Sequence, residues 1–124
     1  TPPKPILASD INSTFVDLAK SNALRARVEK DIQFECNDFL GSSAPDTEGL
    51  LVSNLPYGER LKKEDLIEFY KQIGNTLKRG YRGWKAALLI ANDAPGKFVG
   101  LKPSQKIPIL NGSIPCKLWV FKLY

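Results

Sequence analysis

The sequence predicts an α/β fold, and three features of the chain support this prediction. Short apolar segments alternate with longer segments in which apolar residues recur at helical spacing, as strands and helices do along an α/β chain. The chain ends in two extended segments joined by Asn111-Gly112, which predict an antiparallel hairpin. An apolar content of 43% and a charged fraction of 25% are typical of a globular protein, so we expect a single domain over residues 1–124.

The first third of the chain predicts a strand and a helix. The apolar run at 5–11 predicts a parallel strand that is buried on both faces and contains Asp10 near its end. Small polar residues at 12–14 offer oxygens that can cap a helix. Apolar residues at helical spacing then predict that this helix runs from about Ser13 to about Arg27.

The middle of the chain predicts two further strands and a second helix. Apolar and polar residues of the segment 32–39 alternate through Cys36, which predicts a strand near the sheet edge, and a turn-rich loop follows at 41–48. The apolar run at 50–54 predicts a buried strand. Helical spacing from about Lys63 predicts an amphipathic helix that Gly80 ends.

The last third of the chain predicts one more buried strand and the hairpin. The strand is expected at 84–91, followed by no more than a short helical turn at 95–101. The two strands of the hairpin are expected at 106–110 and 114–124. The sequence therefore predicts a sheet that is mainly parallel and ends in antiparallel strands.

The charge and the residue types narrow the classes of function. Eighteen Lys and Arg against thirteen Asp and Glu give a formal net charge of +5, which favours a polyanionic partner. Histidine is absent, which excludes Ser-His and Cys-His nucleophile schemes and most zinc sites, and no metal site is expected.

The same composition bears on where the protein works. Cys36 and Cys116 lie far apart in strand-like segments, so we interpret them as reduced core residues of a cytoplasmic protein. No stretch approaches the roughly 18 apolar residues that a membrane span needs. Methionine is absent, including at position 1, so we expect this chain to be a piece of a longer one.

The segment Asn54-Leu55-Pro56-Tyr57 is the most informative motif in the chain, because it follows a predicted buried strand directly. Open α/β sheets bind their ligands at the carboxyl ends of such strands. The ring of Tyr57 can stack on a flat heterocycle. The Asn54 side-chain oxygen and the Leu55 carbonyl, which the turn at Pro56 leaves free, can both accept hydrogen bonds from one amino group.

This motif resembles motif IV of S-adenosylmethionine-dependent amino methyltransferases. The longer string from Asn54 to Leu61, Asn-Leu-Pro-Tyr-Gly-Glu-Arg-Leu, is similar to the subgroup that methylates guanine N2 in 23S ribosomal RNA. The family usually has Pro where this chain has Leu55, a difference that matters little if only the carbonyl is used. Adenine-N6 and protein glutamine-N5 enzymes share the four-residue core, so these acceptors remain alternatives.

The resemblance extends over nearly the whole chain and implies a partial Rossmann-like methyltransferase sheet, from the second strand of the family to its seventh. It also implies helices on both faces and the C-terminal antiparallel hairpin. The first strand of the family and its glycine-rich loop have no counterpart, since the chain contains no Gly-x-Gly sequence.

The resemblance implies a cofactor site for S-adenosyl-L-methionine made of Asp10, Ile11, Asp38, Phe39 and Asn54. Asp10 would accept both ribose hydroxyls, because a carboxylate can take two donors at once. Asp38 would accept from the adenine amino group, and Phe39 would pack against the adenine face. A helix cap for Asp10, a turn for Asp38 and plain core packing for Phe39 remain open.

The resemblance also implies the catalytic and substrate-binding residues. Catalysis is assigned to Asn54, Leu55, Pro56 and Tyr57. Contact with the substrate base or with RNA phosphate is assigned to Tyr57, Glu59 and Arg60.

The predicted function is methyl transfer from S-adenosyl-L-methionine to the exocyclic N2 of guanine in 23S ribosomal RNA. The partner would be large-subunit ribosomal RNA, bound with the help of an upstream RNA-binding domain in the longer chain, with no membrane and no metal involved. A non-catalytic RNA-binding module is the alternative of a different class.

The missing first strand has a structural consequence. In the family this strand lies between the second and the fourth, so its absence leaves two rows of backbone donors and acceptors without partners. Either the segment 5–11 pairs with the segment 50–54, or another chain fills the gap, or solubility is lost. We expect the 124-residue chain alone to bind cofactor weakly or not at all.

Overall fold

The computed structural model describes residues 4–56 and 62–124. The chain divides into two compact units, Thr1–Gly41 and Ser42–Tyr124, and each unit contains its own β-sheet. Strands and helices alternate through both units before the C-terminal hairpin. The predicted α/β class is therefore confirmed.

The first unit is a strand–helix–strand motif. Strands β1 (Ile6–Asp10) and β2 (Ile32–Cys36) pair in parallel, and helix α1 (Ser13–Arg25) connects them. The helix begins where the polar residues at 12–14 predict it, because the Asn12 side-chain oxygen accepts hydrogen bonds from the first-turn backbone N–H groups. It ends two residues before the predicted Arg27.

The expectation that β1 is buried on both faces is wrong. Ile6 is 54% exposed and Leu7 is 45% exposed. The reason is the size of the unit, since β2 is the only strand that pairs with β1 within the described residues and α1 buries only Val16 and Ala23. Apolar composition identified the strand, but it did not tell how many neighbours would cover it.

The second unit contains a four-stranded mixed sheet in the order β3-β4-β6-β5. Strands β3 (Leu50–Asn54) and β4 (Lys85–Ala91) are parallel. Strand β6 (Ile114–Lys122) runs antiparallel to β4 and forms a hairpin with β5 (Gln105–Asn111), as predicted. Strands β3 and β5 form the two edges, and β5 carries Pro108, which has no backbone N–H, opposite Lys117.

Helix α2 (Lys63–Gly80) supplies much of the core of this unit. Fully buried side chains come from the helix and from strands β4 and β6; they include Tyr70, Ile73, Leu77, Leu88, Ile90 and Phe121. A short 3-10 turn at Gly96–Val99 packs against the helix at Gly74. A Cβ at Gly74 would lie 1.7 Å from the Val99 carbonyl oxygen, so only glycine permits this close approach.

The strand pairing bears on one of the three outcomes expected for a missing first strand. β1 pairs with β2, and β3 pairs with β4. The structure thus does not show the re-pairing of the first strand with the segment 50–54. Each of these two strands lies at an edge of its own sheet.

Candidate functional site

In the first unit, the predicted cofactor residues lie at the carboxyl ends of β1 and β2. Asp10 is the register partner of Cys36, and the Asp10 carbonyl accepts a hydrogen bond from the Asn37 N–H at 3.1 Å. The Cys36 thiol donates to the Ile11 carbonyl, with 3.6 Å between sulfur and oxygen. Asp10 and Ile11 are therefore brought next to the segment that leads into Asp38.

Asp10 and Asp38 adopt the same local turn. One carboxylate oxygen of Asp10 accepts from the Asn12 N–H at 2.9 Å, and one of Asp38 accepts from the Leu40 N–H at 2.9 Å. Asn12 caps helix α1, so the alternative in which Asp10 is the helix cap is wrong. The alternative in which Asp38 forms a turn is observed. Both side chains are exposed, so the second oxygen of each can accept from a ligand.

Phe39 follows these turns as a half-buried residue. This degree of burial suits both readings of the ring, as a core residue and as one face of an adenine pocket. Its role stays a prediction.

In the second unit, the predicted acceptor residues lie at the carboxyl end of β3. Asn54 is exposed and is the register partner of Leu89 on β4. The Leu55 N–H donates to the Leu89 carbonyl at 3.1 Å, and the Leu55 side chain is only 4% exposed. The pairing with β4 and the buried Leu55 side chain thus fix the backbone beside the exposed side-chain amide of Asn54.

A residue that sequence reasoning missed holds the next part of this segment. The hydroxyl of Tyr70, a fully buried residue of α2, donates to the Pro56 carbonyl at 2.8 Å. Burial raises the pKa of Tyr70 to about 12, with smaller electrostatic contributions from Asp93 and Cys116, so the hydroxyl keeps its proton at neutral pH. The available signal was a tyrosine at a core position of the helix, because a buried hydroxyl needs a partner.

Three of the predicted residues, Tyr57, Glu59 and Arg60, lie outside the described residues. Their roles in stacking and in substrate contact stay predictions. The remaining residues fall into two units, with Asp10, Ile11, Asp38 and Phe39 in the first and Asn54, Leu55 and Pro56 in the second.

The described residues contain neither a metal-binding cluster nor a membrane-spanning helix. Over 4–56 and 62–124, no group of three or more His, Cys, Asp or Glu is placed to hold a metal ion. Among the helices of these same residues, none is both long enough and apolar enough to cross a membrane.

The fold is that of a methyltransferase domain. Residues 2–119 match the family model UPF0020, described as "RMKL-like, methyltransferase domain", and the chain belongs to this family. The family resemblance inferred from Asn54 to Leu61 is thereby confirmed, although the role of each motif residue is not tested by it.

Two sequence relatives illustrate the similarity. The Synechocystis sp. protein slr0064, whose name assigns it to the RNA methyltransferases, is 37% identical over 121 residues, which are 97% of this chain and 32% of that protein. The ribosomal RNA large subunit methyltransferase K/L of Legionella pneumophila (strain Lens) is 38% identical over 120 residues, which are 95% of this chain and 17% of that protein.

A solved structure agrees with the sequence relatives. The crystal structure of SMU.472 in complex with SAH superimposes with a TM-score of 0.86 at 26% identity, covering 96% of this chain and 32% of that one. The chain therefore spans about a third or less of the length of these relatives.

Proposed function

We propose that this chain forms part of an S-adenosyl-L-methionine-dependent RNA methyltransferase that modifies the exocyclic N2 of guanine in large-subunit ribosomal RNA. The observation that carries the proposal is the exposed amide of Asn54 at the carboxyl end of β3, beside a backbone that the ladder holds in place. The name of the Legionella relative, a ribosomal RNA large subunit methyltransferase, supports the substrate class.

Methyl transfer requires mainly that the protein position the acceptor amine against the methyl donor. The amino nitrogen would attack the methyl carbon, the bond from that carbon to sulfur would break with its electron pair left on sulfur, and the nitrogen would then release one proton to solvent. The Asn54 side-chain oxygen and the Leu55 carbonyl would each accept a hydrogen bond from one N–H group of the amine. These two hydrogen bonds would orient the lone pair of the nitrogen and increase its electron density. The rate gain would come mainly from in-line orientation and from exclusion of water.

Asp10 and Asp38 fit the cofactor role that the resemblance implies. Each is an exposed carboxylate at the carboxyl end of a parallel strand, and each is oriented by a hydrogen bond from a backbone N–H two residues later. A cofactor with a ribose diol and an adenine amine would supply donors to these oxygens, and its sulfonium would supply the methyl group. The SAH bound in the SMU.472 structure supports this cofactor.

The choice of acceptor is the part of the proposal that these residues constrain least. An amide oxygen and a carbonyl would accept equally well from guanine N2, adenine N6 or a glutamine side chain. Transfer of a labelled methyl group to ribosomal RNA, followed by digestion to nucleosides, separates the three. Label in N2-methylguanosine supports the proposal, and label in N6-methyladenosine or in protein contradicts it.

The central test is the substitution Asn54→Ala in the full-length protein. We expect methyl transfer to fall by at least about a hundredfold while the affinity for S-adenosyl-L-methionine stays within a few-fold of the wild type. Asn75→Ala, which removes an exposed amide from α2, is the matched control and should leave both quantities unchanged. Equal loss of transfer and of cofactor affinity in Asn54→Ala would show that the role is misassigned.

The setting of the enzyme completes the proposal. Ribosomal RNA would be bound by an RNA-binding domain upstream of this chain, and two cysteines that form no disulfide would suit a cytoplasmic location. Cys116 is buried as expected, but Cys36 is exposed, so the expectation that Cys36 is a core residue is wrong. The net charge of +5 would favour contact with RNA phosphates.

A further inference from the structure

We propose that Tyr70 is a positioning residue for methyl transfer: its hydroxyl, by holding the Pro56 carbonyl, fixes the direction of the Leu55 carbonyl that receives the substrate amine. This inference rests on the proposed function, because Leu55 matters only if its carbonyl binds the acceptor. Tyr70 itself touches neither substrate nor cofactor in this scheme.

The geometry provides two anchors that bracket the Leu55 carbonyl. On one side, the Leu55 N–H donates to the Leu89 carbonyl at 3.1 Å, which ties the preceding peptide unit to β4. On the other side, the Pro56 carbonyl accepts from the Tyr70 hydroxyl at 2.8 Å, which ties the following peptide unit to α2. The Leu55 carbonyl belongs to the single peptide unit between these two.

The number of free torsions between the anchors is small. Only the φ and ψ angles of Leu55 and Pro56 separate the two anchored peptide units, and the proline ring fixes the φ angle of Pro56. The Leu55 side chain, 4% exposed, restricts its own backbone further. Without the bond from Tyr70, the ψ angle of Pro56 would be released, and the Leu55 carbonyl would have freedom to turn.

Tyr70 is well suited to hold the Pro56 carbonyl, because it lies within a helix and is shielded from solvent. Tyr70 is 0% exposed and lies one turn before Ile73 and two turns before Leu77 among the fully buried side chains of the helix. Its hydroxyl therefore exchanges no bond with bulk water, and its raised pKa keeps it a donor throughout the neutral range. Loss of the Tyr70 hydroxyl would remove this hydrogen bond from the Pro56 carbonyl.

The experiment compares two identical substitutions in the full-length protein, Tyr70→Phe and Tyr81→Phe. Tyr81 is also buried, at 7% exposure, and its hydroxyl lies 2.9 Å from the Ser42 hydroxyl, away from the acceptor segment. Both variants lose one hydroxyl with a hydrogen bond to another part of the unit, so we expect similar decreases in thermal midpoint. Only Tyr70→Phe should lower kcat, by about tenfold or more, with the affinity for S-adenosyl-L-methionine unchanged.

The results distinguish the positioning role of Tyr70 from the proposed methyl-transfer function. If Asn54→Ala abolishes transfer and Tyr70→Phe leaves kcat within twofold of the wild type, the positioning role is wrong although the function stands. If Tyr81→Phe lowers kcat as much as Tyr70→Phe does, the effect is general destabilisation and the role is again wrong. If Asn54→Ala keeps full activity, the acceptor site itself is misassigned.

A second readout does not depend on activity. Hydrogen exchange of the Leu55 amide should accelerate by about tenfold in Tyr70→Phe, because the anchored segment loosens, and should not change in Tyr81→Phe. Unchanged exchange in Tyr70→Phe would overturn the anchoring itself, whatever reaction the protein catalyses.

Discussion

At the scale of single residues, the ends of the strands are shaped by polar side chains that bind nearby backbone. Asp10, Asn12 and Asp38 each accept from backbone N–H groups two or three positions later, and sequence reasoning can find such local bonds. The bond from Tyr70 to Pro56 spans 14 positions and needs the packing of α2 to exist. Helical spacing predicts that α2 has an apolar face, but not which carbonyl the hydroxyl of Tyr70 contacts.

The titration of Tyr70 gives a prediction at this scale. Its pKa is raised from 10.0 to about 12 in the folded protein, so its contribution to stability is complete below pH 10 and is lost as the pH rises from 10 to 12. Relative to Tyr70→Phe, the wild-type free energy of unfolding should fall by about 1 kcal/mol between pH 9 and pH 11. Denaturant unfolding of both proteins at the two pH values measures this. A constant difference would show that the hydroxyl is not buried as described.

At the scale of the elements, the sequence predicted, in their observed order, the six strands and two α-helices that the structure shows over 4–56 and 62–124. The alternation through Cys36 agrees with the end of β2, whereas α1 ends at Arg25 rather than at Arg27. What the sequence could not predict is contact between elements. The approach of the 3-10 turn to α2 at Gly74 depends on a residue whose side chain is a single hydrogen atom, which carries no hydrophobic signal.

This contact predicts a large effect of a small substitution. Gly74→Ala improves the intrinsic helix propensity of α2 by roughly 1 kcal/mol, but the added Cβ would overlap the Val99 carbonyl oxygen. We expect a net destabilisation of about 1 to 3 kcal/mol in denaturant unfolding, because the turn must move away from the helix. Asn75→Ala, at the next and exposed position, should stay within about 0.5 kcal/mol of the wild type. A stabilised Gly74→Ala variant would contradict the observed packing.

At the scale of the whole molecule, the chain contains two sheets with apolar edge strands. β1 exposes Ile6 and Leu7, and β3 exposes Leu50 at 61% and Val52 at 68%. Composition predicted these strands as buried because a run of Val, Ile and Leu usually lies inside a sheet. Burial depends on which neighbours are present, and the spacing of residues within one strand contains no information about them.

Exposed apolar edges predict that the 124-residue chain associates with itself as its concentration rises. Val52→Lys should reduce this association, as measured by sedimentation velocity, since a charge on an edge strand opposes strand pairing. Leu110→Lys adds the same charge at a similarly exposed position of β5 and is the matched control. Equal reductions in the two variants would point to net charge alone rather than to the β3 edge.

The proline in β5 gives the larger sheet two unlike sides. A strand arriving outside β5 would find no amide hydrogen at Pro108, so the hydrogen-bonding ladder could not continue there without a break. A strand arriving outside β3 meets no such interruption within Leu50–Asn54. A strand added to this sheet would therefore form a more complete ladder beside β3 than beside β5.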